Sequence, residues 1–283
     1  MKKKAFLFVT VFFVITVFLF SIRAQNSSNE VPIVGQVMSR DFEGMKYHYY
    51  IPYRAGASKG TPLPLLVLIH DRGHDPVIYL QRWIQISEEK GVALLAPDFN
   101  AENCKDYRAL GIGQTRTDFH LLKILDDAQL IWSFDIGKIL IYGHGEGAEF
   151  VHRLALIYPE RILKGAITGT SSYTFPDPAT PFPYGTKRTL EMRDINFKLI
   201  EFAALDVAII AGEQDVLPIR GDHASKQGSS HVERAQNFYE QFRTFAEKNK
   251  RPCNLQIMVV PQADHNPTDT LPAAQNFLLE HFK

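Results

Sequence analysis

The chain has 283 residues with 31 basic and 31 acidic side chains, so its formal net charge is +0. A balanced chain has no excess of positive charge to hold nucleic acid or an anionic surface, and we expect no nucleic-acid partner. Hydrophobic residues make up 45% of the sequence, which is enough to bury the core of one large domain.

The N-terminus has the pattern of an export signal. Lys2, Lys3 and Lys4 precede an apolar run over residues 5–22. A charged start followed by such a run is typical of a secretory signal, and about 18 apolar residues is also near the length that spans a bilayer. Ala24 suits the position before a cleavage site. Residues 1–24 are therefore predicted to be either a cleaved signal peptide or a membrane anchor.

Both alternatives place the rest of the chain outside the cytoplasm, because the lysines stay inside. We expect an exported protein that is secreted, periplasmic or anchored on the outer side of the membrane, with residues 25–45 as a leader. Cys104 and Cys253 would then share an oxidising compartment. Whether they pair is open, because a sequence does not give their Cα separation.

From residue 46 to residue 283 the chain alternates short apolar runs with segments of helical periodicity. The apolar runs predict strands at 46–51, 65–70, 92–96, 138–142, 162–168, 206–211 and 254–260. The periodic segments predict helices at 77–90, 115–134, 149–155, 231–249 and 270–282. Continuous apolar strands between helices indicate an α/β domain with a mostly parallel central sheet and helices on both faces.

One stretch, residues 171–205, interrupts this alternation. It contains Phe175-Pro176-Asp177-Pro178 and Pro181-Phe182-Pro183-Tyr184-Gly185, and dense proline favours a semi-rigid loop over regular structure. The loop leaves the carboxyl end of a strand, where open α/β sheets bind ligands. We expect it to form a lid or a pocket wall, and its aromatic residues favour an apolar or aromatic ester ligand.

The most informative motif is Gly143-His144-Gly145-Glu146-Gly147, between a predicted strand and a predicted helix. A strand, a tight turn with small residues two apart and a helix form the context of the nucleophile elbow, normally G-x-S-x-G. Here the position of the attacking serine is occupied by Gly145. The chain therefore has the frame of a serine hydrolase without the hydroxyl.

The order of several motifs resembles the α/β-hydrolase fold, and within it the exported esterase and polyhydroxybutyrate-depolymerase-like branch. The resemblance covers roughly residues 46–283. Besides the elbow, it is carried by His70-Asp71-Arg72-Gly73, Pro97-Asp98-Phe99, Tyr158-Pro159-Glu160-Arg161, Ala211-Gly212-Glu213-Gln214-Asp215 and Ala263-Asp264-His265.

The resemblance implies a catalytic acid at Asp215 and a catalytic base at His265, each following a predicted strand. The acid would accept the imidazole N–H and stabilise the imidazolium, and the base would act toward position 145. Asp222 and Glu213 compete for the role of the acid. His223 and His231 fit the role of the base less well, because both precede the last strand.

The oxyanion hole of this fold needs two backbone N–H groups. One is expected from Glu146, at the start of a helix, and the other from Arg72 or from Asp71. The family usually has a glycine-rich sequence at the second position, so Asp71-Arg72 departs from its pattern, and a bulky Arg72 would narrow or charge the entrance.

Other groups are weaker candidates for catalysis. Glu146 as a carboxylate nucleophile is disfavoured because its side chain should leave the elbow in a different direction from position 145. Ser133, Ser171 and Ser172 have no turn that would expose them, and His144 is expected to pack. The histidines lack metal-ligand spacing such as H-E-x-x-H, so we expect no metal and no cofactor.

Glycine adopts the strained backbone of the elbow readily, so Gly145 keeps the fold while removing the group that forms an acyl-enzyme. Three interpretations follow. The protein is a pseudo-hydrolase that binds a small-molecule ester or acid; or His265 and Asp215 activate water directly; or Gly145 marks an altered copy of an ordinary serine esterase. We expect weak or absent serine esterase turnover.

Overall fold

The computed structural model describes residues 33–54, 62–100, 104–113, 115–216 and 222–282. Residues Ile33–Lys283 form one compact unit. The predicted signal peptide or anchor at residues 1–24 lies outside the described residues. Within the described part of the chain, no helix has the length and apolar character needed to cross a bilayer.

The centre of the unit is an eight-stranded sheet in the order β1-β2-β4-β3-β5-β6-β7-β8. β2 is antiparallel to both of its neighbours, β1 and β4. The other six strands, β3 to β8, run parallel to one another. The strands are β1 (Val37–Phe42), β2 (Met45–Tyr50), β3 (Leu63–Ile69), β4 (Ala93–Asp98), β5 (Phe134–His144), β6 (Ile162–Thr168), β7 (Val207–Gly212) and β8 (Gln256–Val260).

Helices cover both faces of this sheet. They are α1 (Pro76–Gln81), α2 (Ile84–Lys90), α3 (Thr117–Ala128), α4 (Glu146–Ile157), α5 (Leu199–Ala203), α6 (Asp222–Ser225), α7 (His231–Lys248) and α8 (Pro267–Leu279). Short 3₁₀ turns lie at Tyr107–Ala109, Pro159–Arg161 and Leu190–Met192.

The continuous apolar run of β3 is explained by burial on both sides. Leu65, Val67 and Ile69 belong to a core that contains side chains of α3, α4 and α7. Leu66 and Leu68 point into a second core, with side chains of α1 and α8. Because strand side chains alternate between faces, a strand buried twice needs apolar residues at every position. The predicted α/β architecture is therefore confirmed.

The domain begins earlier than the sequence suggests. Residues 25–45 were expected to be a leader, yet β1 (Val37–Phe42) lies within that range and pairs with β2. Glu43 and Gly44, which join the two strands, both have positive φ, the signature of a tight hairpin turn. β1 is a half-exposed edge strand, so its sequence lacks the apolar continuity that identifies the inner strands.

Two helices also differ from expectation. The helix predicted over 115–134 ends at Ala128, and Phe134 already starts β5. The segment 77–90 is divided into α1 and α2 by Arg82 and Trp83. Cys104 and Cys253 form no disulfide.

Candidate active site

The elbow connects β5 to α4 at Gly145, whose φ of 56° and ψ of −122° lie in a region that side-chain-bearing residues rarely adopt. Close packing requires a glycine at position 147, the last residue of the motif. A Cβ added to Gly147 would lie 2.3 Å from the carbonyl oxygen of Ile69, at the end of β3. The turn therefore has the sharp geometry that projects residue 145 above the sheet.

The predicted acid and base are hydrogen bonded to each other. Nδ1 of His265, in the loop between β8 and α8, lies 2.8 Å from Oδ2 of Asp215, which follows β7 and has a fully buried side chain. Burial opposes protonation of His265, but the hydrogen bond and charge of Asp215, with the charges of Asp71 and Asp264, outweigh it and raise the pKa of the imidazole. The dyad geometry is therefore in place.

His144, the residue before Gly145, is hydrogen bonded to the backbone of His265. Its Nε2 lies 2.9 Å from the carbonyl oxygen of His265, and its Nδ1 lies 2.8 Å from Oγ1 of Thr168. Burial and the neighbouring His265 lower the pKa of His144 to about 4. A neutral ring must donate from Nε2, because a carbonyl only accepts, so Nδ1 accepts from the threonine hydroxyl.

A second histidine lies against the acid. His231, the first residue of α7, places Nδ1 3.4 Å from Oδ2 of Asp215, and its ring meets that of His265 edge to face. Burial lowers its pKa to about 4, although the charge of Asp215 opposes this. Donor atoms of these three side chains lie within 4.8 Å of one another. They are the residues of the described chain that could hold a metal ion, and no local spacing in the sequence reveals them.

The feature that sequence reasoning missed is the position of the Asp71 side chain. A Cβ added to Gly145 would lie only 2.4 Å from Cγ of Asp71, so this carboxyl occupies the space beside the elbow that a side chain at position 145 would enter. Its Oδ1 accepts a hydrogen bond of 2.8 Å from the backbone N–H of Glu146. That N–H is the expected oxyanion donor, and here its acceptor is a carboxylate of the protein itself.

The Arg72 side chain forms an ion pair at the rim of the site. Its Nε donates to Oε2 of Glu146 over 2.6 Å, and a further guanidinium nitrogen donates to the carbonyl oxygen of Lys105. Burial raises the pKa of Glu146, while the hydrogen bond and charge of Arg72 oppose the shift. The Glu146 carboxylate is thus bound to Arg72. The backbone N–H of Arg72 as an oxyanion donor stays a prediction.

Two cavities open beside His265. The smaller, of about 220 Å³, contains Asp71, Gly145 and His265 in its wall, together with Arg108, Glu146, Glu149, Ser171, Ser172, Tyr184 and Ala224. The larger, of about 570 Å³, is lined by His265 and by residues that include Ile78, Tyr79, Arg82, Gln214 and Val216. The proline-rich loop 171–205 supplies one wall of the smaller cavity through Ser171, Ser172 and Tyr184.

This placement revises the expectation for the serines. Ser171 and Ser172 were expected to be ordinary loop residues, yet both line the smaller cavity. The Ser172 hydroxyl donates to Oε1 of Glu149, itself paired over 2.8 Å with the buried Arg153. Ser133 directly precedes β5 and so lies at the opposite end of the sheet from the elbow.

Of the competing residues, Glu213 and His223 have other partners, whereas His231 lies against Asp215. A carboxylate oxygen of Glu213 accepts from the backbone N–H of Gln262, and the ring of His223 stacks on Tyr184. The side chain of Asp222 lies outside the described residues. Asp215 and His265 are therefore the predicted acid and base that share a hydrogen bond, and His231 is the competing residue that lies beside them.

The strand order, the elbow after β5 and the residues that follow β7 and β8 are those of the α/β-hydrolase fold. Comparison with solved structures agrees. Poly(aspartic acid) hydrolase-1 from Sphingomonas sp. KT-1 superposes with a TM-score of 0.72 at 22% identity, over 87% of this chain and 99% of that one. LpqC, a poly(3-hydroxybutyrate) depolymerase from Bordetella parapertussis, gives 0.71 at 22% identity, over 88% and 92%.

An S-formylglutathione hydrolase from Agrobacterium tumefaciens is more distant, with a TM-score of 0.58 at 15% identity over 86% of this chain and 94% of that one. No family model matches the sequence, and no curated protein matches it. Identities this low establish the fold, and fold alone does not fix function.

Proposed function

We propose that this chain is a hydrolase-fold protein of the carboxylic-ester-hydrolase type that has lost serine acyl transfer and binds a small ester-like ligand beside His265. One observation carries the proposal. The carboxyl group of Asp71 occupies the space that a side chain at position 145 would need and accepts the hydrogen bond of the Glu146 N–H.

Two parts of the serine mechanism are affected at once. Gly145 offers no hydroxyl, and loss of the nucleophile costs a triad enzyme about six orders of magnitude in turnover. The Glu146 N–H is also engaged by a negative charge, so an ester carbonyl would have to displace Asp71 before its oxygen could be stabilised there.

The ligand proposed here is a neutral ester. Asp71, Glu146 and Glu149 line the smaller cavity. Among the described residues of its wall these carboxylates outnumber the one guanidinium group, that of Arg108, so a bound anion would meet more like than opposite charge. The larger cavity, of about 570 Å³, has the size of a small-molecule site and includes Ile78, Tyr79 and Val216 in its wall. An acid ligand is therefore less favoured than an ester.

A second function has a specific observation in its favour. The bond of 2.8 Å between Asp215 and His265 is intact, and a raised pKa suits a base that later donates its proton. His265 would then activate water directly and hydrolyse an ester slowly, with no acyl-enzyme.

The third interpretation, a recently altered serine esterase, has less support. A serine at position 145 would place its Cβ 2.4 Å from Asp71 Cγ, so the Asp71 carboxyl would have to rotate away. Asp71 also departs from the glycine-rich sequence usual in this loop, so position 145 is not the one departure within the site.

We also propose export, on the basis of Lys2, Lys3, Lys4 and the apolar run 5–22. Membrane fractionation of the full chain, with mass measurement of its N-terminus, tests cleavage against anchoring.

The function is tested with four full-length proteins, the natural chain, G145S, D71G and the double variant D71G/G145S, on p-nitrophenyl acetate, butyrate and an aromatic ester. We expect no turnover by the natural chain, little gain in either single variant and a gain of about 10²–10⁴-fold in the double variant. The variant S171A, made in the natural chain, is the control that tests whether Ser171 in the cavity wall acts as a nucleophile.

Each alternative has its own result. Turnover by the natural chain that disappears in His265→Ala would support water activation and contradict the binding proposal. Turnover that disappears in S171A would place the nucleophile on the loop. Full activity of G145S alone would show that Asp71 is no obstacle and would restore the altered-copy interpretation.

A further inference from the structure

The carboxylate of Asp71 fills the space beside Gly145, and it is also partly exposed in the wall of the smaller cavity. Its side chain keeps 19% of its surface exposed and lines the cavity that His265 also lines. Oδ1 is held by the Glu146 N–H, whereas Oδ2 lies 3.7 Å from Nδ1 of His74, too far for a hydrogen bond. Oδ1 is therefore held by the backbone, and Oδ2 has no hydrogen bond within the part of the chain that the structure describes.

We propose that Asp71 is the nucleophile of this site, and that its substrates carry a saturated carbon with an anionic leaving group, as primary alkyl halides do. The inference rests on the proposed function in one respect, that a carboxylate and not a hydroxyl faces the ligand. Attack of a carboxylate on an ester carbonyl would give an anhydride, which is more reactive than the ester consumed. Attack on a saturated carbon gives an ester, a stable intermediate.

The first step forms one bond and breaks one. An electron pair of Asp71 Oδ2 bonds to the carbon, and the bond from carbon to the leaving group breaks, its electron pair departing as the halide. The product is an alkyl ester of Asp71. Arg108 lines the same cavity with 38% of its side chain exposed, 3.4 Å from Asp106 and 3.7 Å from Glu149, and its guanidinium would hold the departing anion.

The second step restores the carboxylate with water. His265 takes a proton from a water molecule, and the resulting hydroxide adds to Cγ of Asp71. The negative charge of the tetrahedral intermediate falls on Oδ1, which the Glu146 N–H already contacts over 2.8 Å. The intermediate expels the alkoxide, which receives the proton from His265. The net reaction converts an alkyl halide and water into an alcohol, a halide and a proton.

This reaction gives each retained part of the site a role. The Asp215–His265 pair acts in the second step, in which water is activated. The backbone N–H of Glu146 stabilises the oxygen Oδ1 of the Asp71 ester in place of a substrate carbonyl oxygen. Gly145 is required because any larger residue would displace Asp71.

The test uses the full chain with n-butyl bromide as the probe. In H265Q the first step should proceed and the second should stop, so intact-mass measurement should show one butyl group per chain, mapped by peptide sequencing to Asp71. D71N is the matched control and should lack that adduct. Because H265Q could fail to fold, the natural chain is also turned over in water enriched in the heavy oxygen isotope, where the Asp71 peptide should gain that isotope.

Butyl groups on cysteine or histidine side chains alone, equal in D71N, together with an unlabelled Asp71 peptide in the natural chain, would overturn the inference. Its failure is distinguishable from failure of the proposed function. If Asp71 is never alkylated and the chain also lacks ester turnover, only the assignment of Asp71 as the nucleophile is wrong. Ester turnover by the natural chain would instead contradict the proposed function itself.

Discussion

The two halves of the site differ in how far they keep the arrangement of a serine hydrolase. On the side of β7 and β8, Asp215 and His265 form the expected hydrogen bond, and His144 holds the backbone of the base. On the side of β3 and β5, Gly145 has no side chain and the Asp71 carboxyl lies in its place. The first side keeps a hydrogen-bonded carboxylate and imidazole, and the second side has a carboxyl group where a side chain of residue 145 would lie.

Position 145 and position 71 form one unit of the site, because the side chain of one occupies the space beside the other. A glycine at the elbow alone would suggest a simple loss. The carboxyl group packed against it adds a negative charge to the site and accepts the hydrogen bond of the Glu146 N–H.

The largest effect should come from removing the acid in a chain whose nucleophile has been restored. In D71G/G145S, the substitution Asp215→Asn should lower kcat about 10³–10⁴-fold, because the amide cannot hold the imidazole in the tautomer that accepts a proton. Steady-state ester kinetics measure the loss. An unchanged rate would mean that the bond between Asp215 and His265 has no part in proton transfer.

A stability comparison isolates the contact between the two exchanged positions. Gly145→Ala should lower the free energy of unfolding by about 1–3 kcal/mol, since a Cβ would meet Asp71 at a positive φ. Gly44→Ala is the matched control, because Gly44 also has positive φ but has no atom within 4 Å of the added Cβ. Urea unfolding should show a smaller loss for the control, and D71G should recover part of the loss at Gly145. Equal losses at both glycines would contradict the contact.

The pH dependence of stability should report the histidines around the acid. His231 has a folded-state pKa of about 4, below its value of 6.5 when unfolded. The unfolded chain therefore binds more protons between these values, and stability is lost as pH falls from 6.5 toward 4. In His231→Gln the loss over this window should be smaller by up to about 3 kcal/mol.

The control for this measurement is His281→Gln, since the side chain of His281 is exposed. Urea unfolding at several pH values between 4 and 7 gives the slopes. A slope for His231→Gln that equals that of the control would show that His231 does not stay neutral in the folded chain.

The smallest effect concerns the charges around the base. Asp264 raises the pKa of His265, so Asp264→Asn in D71G/G145S should move the acid limb of the kcat/KM profile downward by a few tenths of a pH unit. The direction follows because removal of a negative charge makes the protonated ring less favourable. An upward shift would contradict the electrostatic argument.

Chain order was sufficient to identify much of the site. Gly145, Asp215 and His265 each follow a recognisable strand, and parallel strands bring their carboxyl ends to one edge of the sheet. The sequence distance between Asp215 and His265 was therefore no obstacle. Strand β2 was predicted, but its hairpin partner β1 was missed because a half-exposed edge strand has a weaker apolar pattern than a buried one.

The α/β alternation, the absence of a hydroxyl at position 145 and the candidate pair Asp215 and His265 could all be predicted from the sequence, because they depend on residue type and on order along the chain. The position of the Asp71 carboxyl, the contact of His231 with Asp215 and the place of Ser171 in the cavity wall became visible in the folded chain alone. These contacts join residues that are remote in sequence through side-chain directions. Such directions are fixed by packing across several elements, which no local pattern of residues records.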